Sequence, residues 1–291
     1  SGERATEREK AQAVTELRQT YKLKMLLKIS ALARNTFYYH LKESRTDKYS
    51  EAKKAITEVF SDNDGRYGYR RITDELHAKD MKLNYKTVSK LMRSLNLHGK
   101  MRKNGQYHSY KGEVGKVADD LLKRDFNTTE LFEKLATDVT QFKVKETRIY
   151  LSPIMDLYNN EIVVYSISLH PDLAQMGELL KELSKRLPKG AKPILHSDQG
   201  RQYQHAMFQR YLKEHHIKQS MSSKGDCMDN GALECFFGRL KVEMYYGEKF
   251  DSTQDFIQKL HKYIYYWNHK RISRKLKAMS PVQYRTHYHT I

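Results

Sequence analysis

The 291-residue sequence predicts an α/β domain preceded by small all-helical segments. Three observations carry that reading. Helix-period apolar patterning dominates the first third of the chain and gives way near residue 130 to β-branched and apolar runs separated by turns. Those runs then alternate with amphipathic stretches. The charge is strongly positive, formally +18 with a pI near 9.6, and it is laid down in blocks. Met81–Gly112 and Phe256–Ile291 each hold eight Lys/Arg and no Asp or Glu. One-signed stretches of that length point to a polyanionic partner, nucleic acid ahead of an anionic membrane surface.

Residues 1–48 read as a helical, helix-turn-helix-like segment. It opens on an amphipathic helix (Ala13, Val14, Leu17) and continues through a second at Lys22–Leu27. The phrase ISALARNTFYYHLKE offers Asn35 or Thr36 as the cap of a last helix. A DNA-reading arm and a structural or dimerising bundle fit this segment equally well. Residues 49–98 read as a second helix-turn-helix domain: a helix over Glu51–Phe60, a break at Asp62-Asn63-Asp64-Gly65, a helix begun by RYGYRRITDELHAKD, and a third in NYKTVSKLMRSLNL. In that third helix Val88, Leu91, Met92 and Leu95 form the apolar stripe, so Lys86, Lys90 and Arg93 face elsewhere. A short basic helix after a tight turn suits a major groove, with Arg70 and Arg71 as further contacts. The alternative is a structural helical domain with a solvated basic face. Residues 99–129 lack periodicity and are rich in Lys, Gly and Tyr; they read as a basic linker ordering along DNA through Lys100, Arg102 and Lys103.

Residues 130–246 switch to strands. Lys134–Val144, Arg148–Asn159 and Glu161–His170 form an antiparallel meander turning at Lys145-Glu146 and Asn159-Asn160. A helix (Leu173–Leu187), a strand (Pro193–Ser197), a helix (Tyr203–His215), a short strand (Lys218–Met221) and a helix carrying Glu234 follow. This is the element order of a ribonuclease-H-like α/β domain. It places Asp138 in the first strand and Asp198 at the carboxyl end of the fourth, which lies beside the first in that fold. Glu234 opens a helix after the loop Ser222–Asn230, and Phe236, Phe237, Leu240 and Met244 give that helix an apolar face to pin it.

Three carboxylates from separate elements supply the oxygen ligands that a pair of Mg²⁺ (or Mn²⁺) ions requires. Asp138, on the most rigid strand, is expected to bridge both ions, with Asp198 on one and Glu234 on the other. Among 35 acidic residues such a trio means nothing as composition; its placement singles it out. Nearby, Asp229 reads as a helix cap in preference to a ligand, Asp226 as a loop residue and Asp156 as structural. His196 and Gln199 either position DNA or water or simply pack, and Gly200 allows a sharp turn. Residues 247–291 form a C-terminal helix and basic tail. Tyr263, Tyr266 and Trp267 pack on the sheet, while Lys270, Arg271, Arg274 and Lys275 are candidates for phosphate contact.

No apolar run approaches the ~20 residues that span a bilayer, and no signal peptide is visible. Two cysteines, Cys227 and Cys235, and the adjacent His215 and His216 do not make a zinc site. A reduced, cytoplasmic, nucleoid-associated protein is expected. Ser1-Gly2 reads as the remnant of a protease cleavage, leaving room for a longer natural chain.

The phrases TDVTQF, HSDQGRQY, SMSSKGDCMDNGALECFFGRLKVEM and YYWNHKRISRKLKAMSPVQY resemble those of the DDE transposases of the bacterial insertion-sequence family numbered three, relatives of retroviral integrases. The resemblance runs from RYGYRRI to the C-terminus. That family places 35 residues between its second aspartate and its glutamate, as between Asp198 and Glu234 here, and a basic residue seven positions on, which is Lys241. Two helical turns beyond Glu234, Lys241 shares its face and can hold a DNA phosphate. The resemblance implies recognition of terminal inverted repeats, strand cleavage and transfer of a 3′-hydroxyl into target DNA with two divalent ions and no nucleotide cofactor. It further implies a copy-out, paste-in route through a figure-eight and a circle, carried out by a homodimer or larger assembly on DNA. Two alternatives stay open: a structure-specific nuclease of junction-resolvase type, and a DNA-binding regulator with an inactive nuclease domain.

Overall fold

The computed structural model describes residues 5–43, 47–101, 118–170, 173–222 and 231–288. Arg102, Lys103, Asp226, Cys227 and Asp229 lie outside the described residues. The chain divides into two units, residues 1–58 and 59–291.

In the first unit α1 (Glu7–Leu17), α2 (Leu23–Ile29) and α3 (Arg34–Glu43) enclose Ala11, Val14, Leu26, Leu32 and Phe37. Thr6 and Glu9 cap α1 reciprocally: the Thr6 hydroxyl accepts from the Glu9 N–H and the Thr6 N–H donates to the Glu9 carboxylate at 2.7 Å. The buried stripe is Ala11 and Val14, three positions apart on one face; Ala13 is exposed on another face, and Leu17, the last residue of the helix, is also exposed. α3 begins at Arg34, so Asn35 and Thr36 sit inside its first turn and do not cap it. α4 (Ser50–Asp62) runs across the boundary between the units.

In the second unit Asp64 (φ 51°) and Gly65 (φ 68°) end α4 in the left-handed conformation, which suits glycine. α5 (Tyr69–Ala78) and α6 (Tyr85–Ser94) follow. Asn84 caps α6 by accepting from the Lys86 N–H at 2.8 Å. Ile72, Leu76, Val88, Leu91 and Met92 are buried here.

The strands are β1 (Lys134–Thr137), β2 (Thr140–Val144), β3 (Thr147–Asp156), β4 (Ile162–Ser168), β5 (Ile194–Ser197) and β6 (Lys218–Met221). The expected first strand is broken at Asp138-Val139. Its two halves pair antiparallel with the two ends of β3, Thr137 opposite Ile154 and Thr140 opposite Leu151. β4 pairs along the other edge of β3. β1 also pairs in parallel with β5, and β5 with β6, so β1 is hydrogen-bonded on both sides. α7 (Leu173–Arg186) and α9 (Ala206–Glu214) cover the sheet over a core that includes Leu135, Ile154, Leu179, Leu183, Leu195, Phe208 and Leu212. Each such side chain contributes roughly 1.5–3 kcal/mol on burial. The helix expected over Tyr203–His215 is two: α8 (Arg201–Gln204), then α9, with the His205 ring accepting from the Met207 N–H at the junction.

The end of the basic linker also differs from expectation. Residues 118–122 lie against β6, the Leu121 N–H donating to Ser220 Oγ at 2.9 Å, and Leu122 is buried. Beyond β6 come α10 (Gly231–Leu240), a π-helical turn (Lys241–Tyr245), α11 (Thr253–His269), a short 3₁₀ turn (Arg274–Leu276) and α12 (Pro281–Tyr288). Tyr263, Tyr266 and Trp267 are buried on α11, and the Trp267 indole N–H donates to the Asn160 carbonyl. No helix among the described residues is long and apolar enough to cross a membrane.

Candidate active site and DNA-contacting residues

The strand break puts Asp138 where β1 ends, one position beyond Thr137, and Asp198 occupies the same place at the end of β5. Because β1 and β5 are parallel neighbours, both aspartates emerge at one edge of the sheet. This carboxyl-end edge is where open α/β sheets place their chemistry. The Val139 N–H holds Asp138 Oδ1 at 2.7 Å, and the Gly200 N–H holds Asp198 Oδ1 at 2.9 Å. Gly200 is needed for this close approach, not for a sharp turn: its φ is −60°, and a Cβ there would stand 2.9 Å from Asp198 Oδ1. Glu234 lies in the first turn of α10, whose Leu233, Phe236, Phe237 and Leu240 are buried.

The electrostatics tie these groups together. Burial pushes the Asp138 carboxyl up to about 7; the charges of Asp198 and Glu234 add to the rise, while the Val139 hydrogen bond and Lys241 oppose it. Asp198 is open to solvent on one side, yet protein crowding on the other raises it too, against the Gly200 hydrogen bond. Lys241 is half-buried. Burial lowers its ammonium and the Asp138 charge pulls it back. The like-charged carboxylates thus bear on one another, but among the described residues no three His, Cys, Asp or Glu side chains are gathered into a closed metal-ligand set. The donor chemistry still fits a hard divalent cation: oxygen ligands only, with mutual repulsion that a cation would relieve.

Sequence reasoning missed Tyr203. It is fully buried beneath the two aspartates, within 3.5 Å of the Thr137 hydroxyl, and burial followed by the Asp138 and Asp198 charges keeps its hydroxyl protonated. The flanking residues pack. His196 Nδ1 meets Ser220 Oγ at 2.9 Å inside the sheet, Gln199 donates to the Ser222 carbonyl, and Asp156 accepts the Phe132 and Tyr158 N–H groups.

The basic candidates sort into two groups. Lys86, Lys90 and Arg93 stand exposed on one side of α6, and Arg70, Lys270 and Lys275 are exposed as well. Four others, Arg271, Arg71, Arg274 and Lys100, make contacts within the protein; burial corrects the phosphate-contact expectation for Arg271, while Arg274 and Lys100 stay partly exposed in their pairs. Arg271 is buried and forms a bidentate pair with Glu243 at 2.8 and 3.1 Å. Arg71 donates to the Ile272 carbonyl, Arg274 grips Asp74 at 2.7 and 2.8 Å, and Lys100 pairs with Glu248. Such pairs satisfy the charges internally, and no spacing rule in the sequence announces them.

An integrase core joined to an HTH-like domain is the class this arrangement defines: the integrase core domain matches residues 129–227 and 234–288, and the HTH-like domain residues 48–105. The chain is 46% identical over 273 residues to InsK of Escherichia coli, named as the transposase for insertion sequence element IS150, covering 94% of this chain and 96% of that one. It is 52% identical over 206 residues to a transposase-like protein of Haemophilus influenzae, covering 71% and 94%. It is 30% identical over 239 residues to the Escherichia coli transposase InsF for insertion sequence IS3A, covering 80% and 83%. The chain belongs to the DDE transposases of the insertion-sequence family numbered three.

Proposed function

We propose that Asp138, Asp198 and Glu234 hold divalent magnesium (or manganese), and that this transposase cuts one strand at its element's ends and joins the freed 3′-hydroxyl to target DNA. The observation that carries the proposal is the convergence of the Asp198 and Glu234 charges on Asp138 at the carboxyl ends of two parallel, adjacent strands. The cations, when bound, supply positive charge for the attacking and leaving oxygens. The chain's own part is to hold two carboxylates through backbone N–H groups and to offer Lys241 to a phosphate beside them. In the joining step the 3′-oxygen forms a new bond to phosphorus as the target's P–O3′ bond breaks, leaving a 3′-hydroxyl. One phosphodiester replaces another, so no nucleotide cofactor is required.

The α6 face of Lys86, Lys90 and Arg93, together with Arg70, is proposed to read the terminal inverted repeats of double-stranded DNA, with Lys270 and Lys275 as further phosphate contacts. Arg102 and Lys103 extend that basic track in sequence. Joining two ends to a target calls for a homodimer or larger assembly on DNA, in a cytoplasmic, nucleoid setting. A labelled 3′-hydroxyl end tests the reading: the chain should give joined product, and Asp138→Asn should abolish cutting and joining while end binding persists. Joining retained in Asp138→Asn would sink the metal assignment. Hydrolysis without joining would indicate a nuclease.

A further inference from the structure

The helix carrying Glu234 does not end regularly. At Lys241 it widens into a π turn, closed by the Tyr246 N–H donating to the Lys241 carbonyl at 2.7 Å. A five-residue spacing is less favourable than the α-helical one and persists where surrounding contacts hold it. Two anchors flank this turn. On one side, buried Glu243 accepts from Arg271 twice and from the Tyr263 hydroxyl at 2.9 Å, and its carbonyl accepts from Lys100 Nζ at 3.2 Å. On the other, the Tyr245 hydroxyl accepts from the Lys143 N–H at 3.2 Å and donates to the Lys143 carbonyl at 2.8 Å, occupying both backbone groups of an edge-strand residue. Its ring packs edge-on against Phe142 at 5.2 Å. Lys241 opens the same turn, with its Nζ 5.8 Å from the Phe142 ring centre and its charge felt at Asp138.

We infer that Glu243 and Tyr245 are positioning residues for the reaction: they clamp the π turn between α11 and the β2 edge and so aim the Lys241 ammonium at the phosphate beside the carboxylates. A regular α-helix through 241–245 would rotate Glu243 and Tyr245 off their anchors, and releasing the anchors frees the turn to rewind. Lys241 would then swing relative to Asp138. The inference rests on the proposed role of Lys241.

The test is a double-mutant cycle on strand joining at saturating Mg²⁺. Tyr245→Phe removes only the hydroxyl and keeps the ring packing; Glu243→Gln weakens the other anchor. Expected is a loss of joining rate of roughly tenfold for Tyr245→Phe in the native background, with its thermal midpoint little changed, and no further loss once Lys241→Ala is present. The same fold-loss in both backgrounds would overturn the inference, since a merely structural role is additive. If Lys241→Ala alone leaves joining intact, the proposed role of Lys241 fails, and the inference fails with it. Glu243→Gln is read the same way if it folds; Tyr245→Phe decides the matter if it does not.

Discussion

Replacing Arg271 by Met should destabilise the second unit severely. Glu243 is 1% exposed and its carboxylate is met by Nε and Nη2 of the Arg271 guanidinium and by the Tyr263 hydroxyl. Met keeps much of the apolar stem against Trp267, where the guanidinium now stacks at 4.6 Å, so the change isolates the charge. Removing one partner of a buried pair strands the other, at a cost of about 3–5 kcal/mol. For a unit of this size each kcal/mol moves the midpoint by about 2–4 °C, so a fall of about 6–20 °C is expected in thermal unfolding followed by circular dichroism. The pH dependence has a definite sign. Burial by itself raises the Glu243 carboxyl, but the Arg271 charge and hydrogen bonds, with Tyr263, outweigh it and leave it below the ordinary 4.5. In the native protein this stabilisation is therefore present above 4.5 and lost as pH falls through the lower folded value. Without Arg271 only the Tyr263 hydroxyl and the Arg71 charge oppose burial, the carboxyl rises, and stability falls as pH increases. The gap between variant and native protein should be wider at pH 8 than at pH 5. A shift below about 3 °C at pH 8, or a gap that does not change with pH, would refute the reasoning.

Gly200→Ala should leave the fold intact but push the Asp198 carboxylate from its seat, since the added Cβ would stand 2.9 Å from Oδ1 and 2.5 Å from Gln202 Nε2. The Mg²⁺ concentration needed for half-maximal joining should rise roughly 10–100-fold, and an unchanged titration would count against the placement of Asp198. Replacing Lys86, Lys90 and Arg93 together by Ala should weaken end binding and reduce its slope against log salt by about 3, measured by fluorescence anisotropy. A slope that stays put would remove this face from the DNA contact.

Strand order, the helix bearing Glu234 and the pairing of the two aspartates were legible because apolar periodicity and element sequence encode them directly. The break at Asp138-Val139 was not: KLATDVTQFKV is strand-compatible on both sides of it, and both halves pair with one long β3 in a single register. The basic residues were legible as a charge, not as individuals. Arg271 and Lys275 look alike in sequence, yet one is buried on a glutamate 28 positions away and the other faces solvent. The π turn has no signal of its own, since its anchors, Arg271 and Lys143, come from distant segments. Tyr203 lay in a phrase already singled out, but its burial beneath the aspartates depends on how β1 and β5 meet.

The HTH-like helices make some of their contacts with the far end of the chain. Tyr67 accepts from the Ile272 N–H, Arg71 donates to the Ile272 carbonyl, and Asp74 waits for Arg274, separations of 205, 201 and 200 residues. At about 5–20 residues per second of synthesis, those contacts trail the helices by about 10–40 s. During that interval the nascent chain carries HTH-like helices that have not yet been joined to the segment around Ile272 and Arg274. A product cut short before residue 271 would never make that junction.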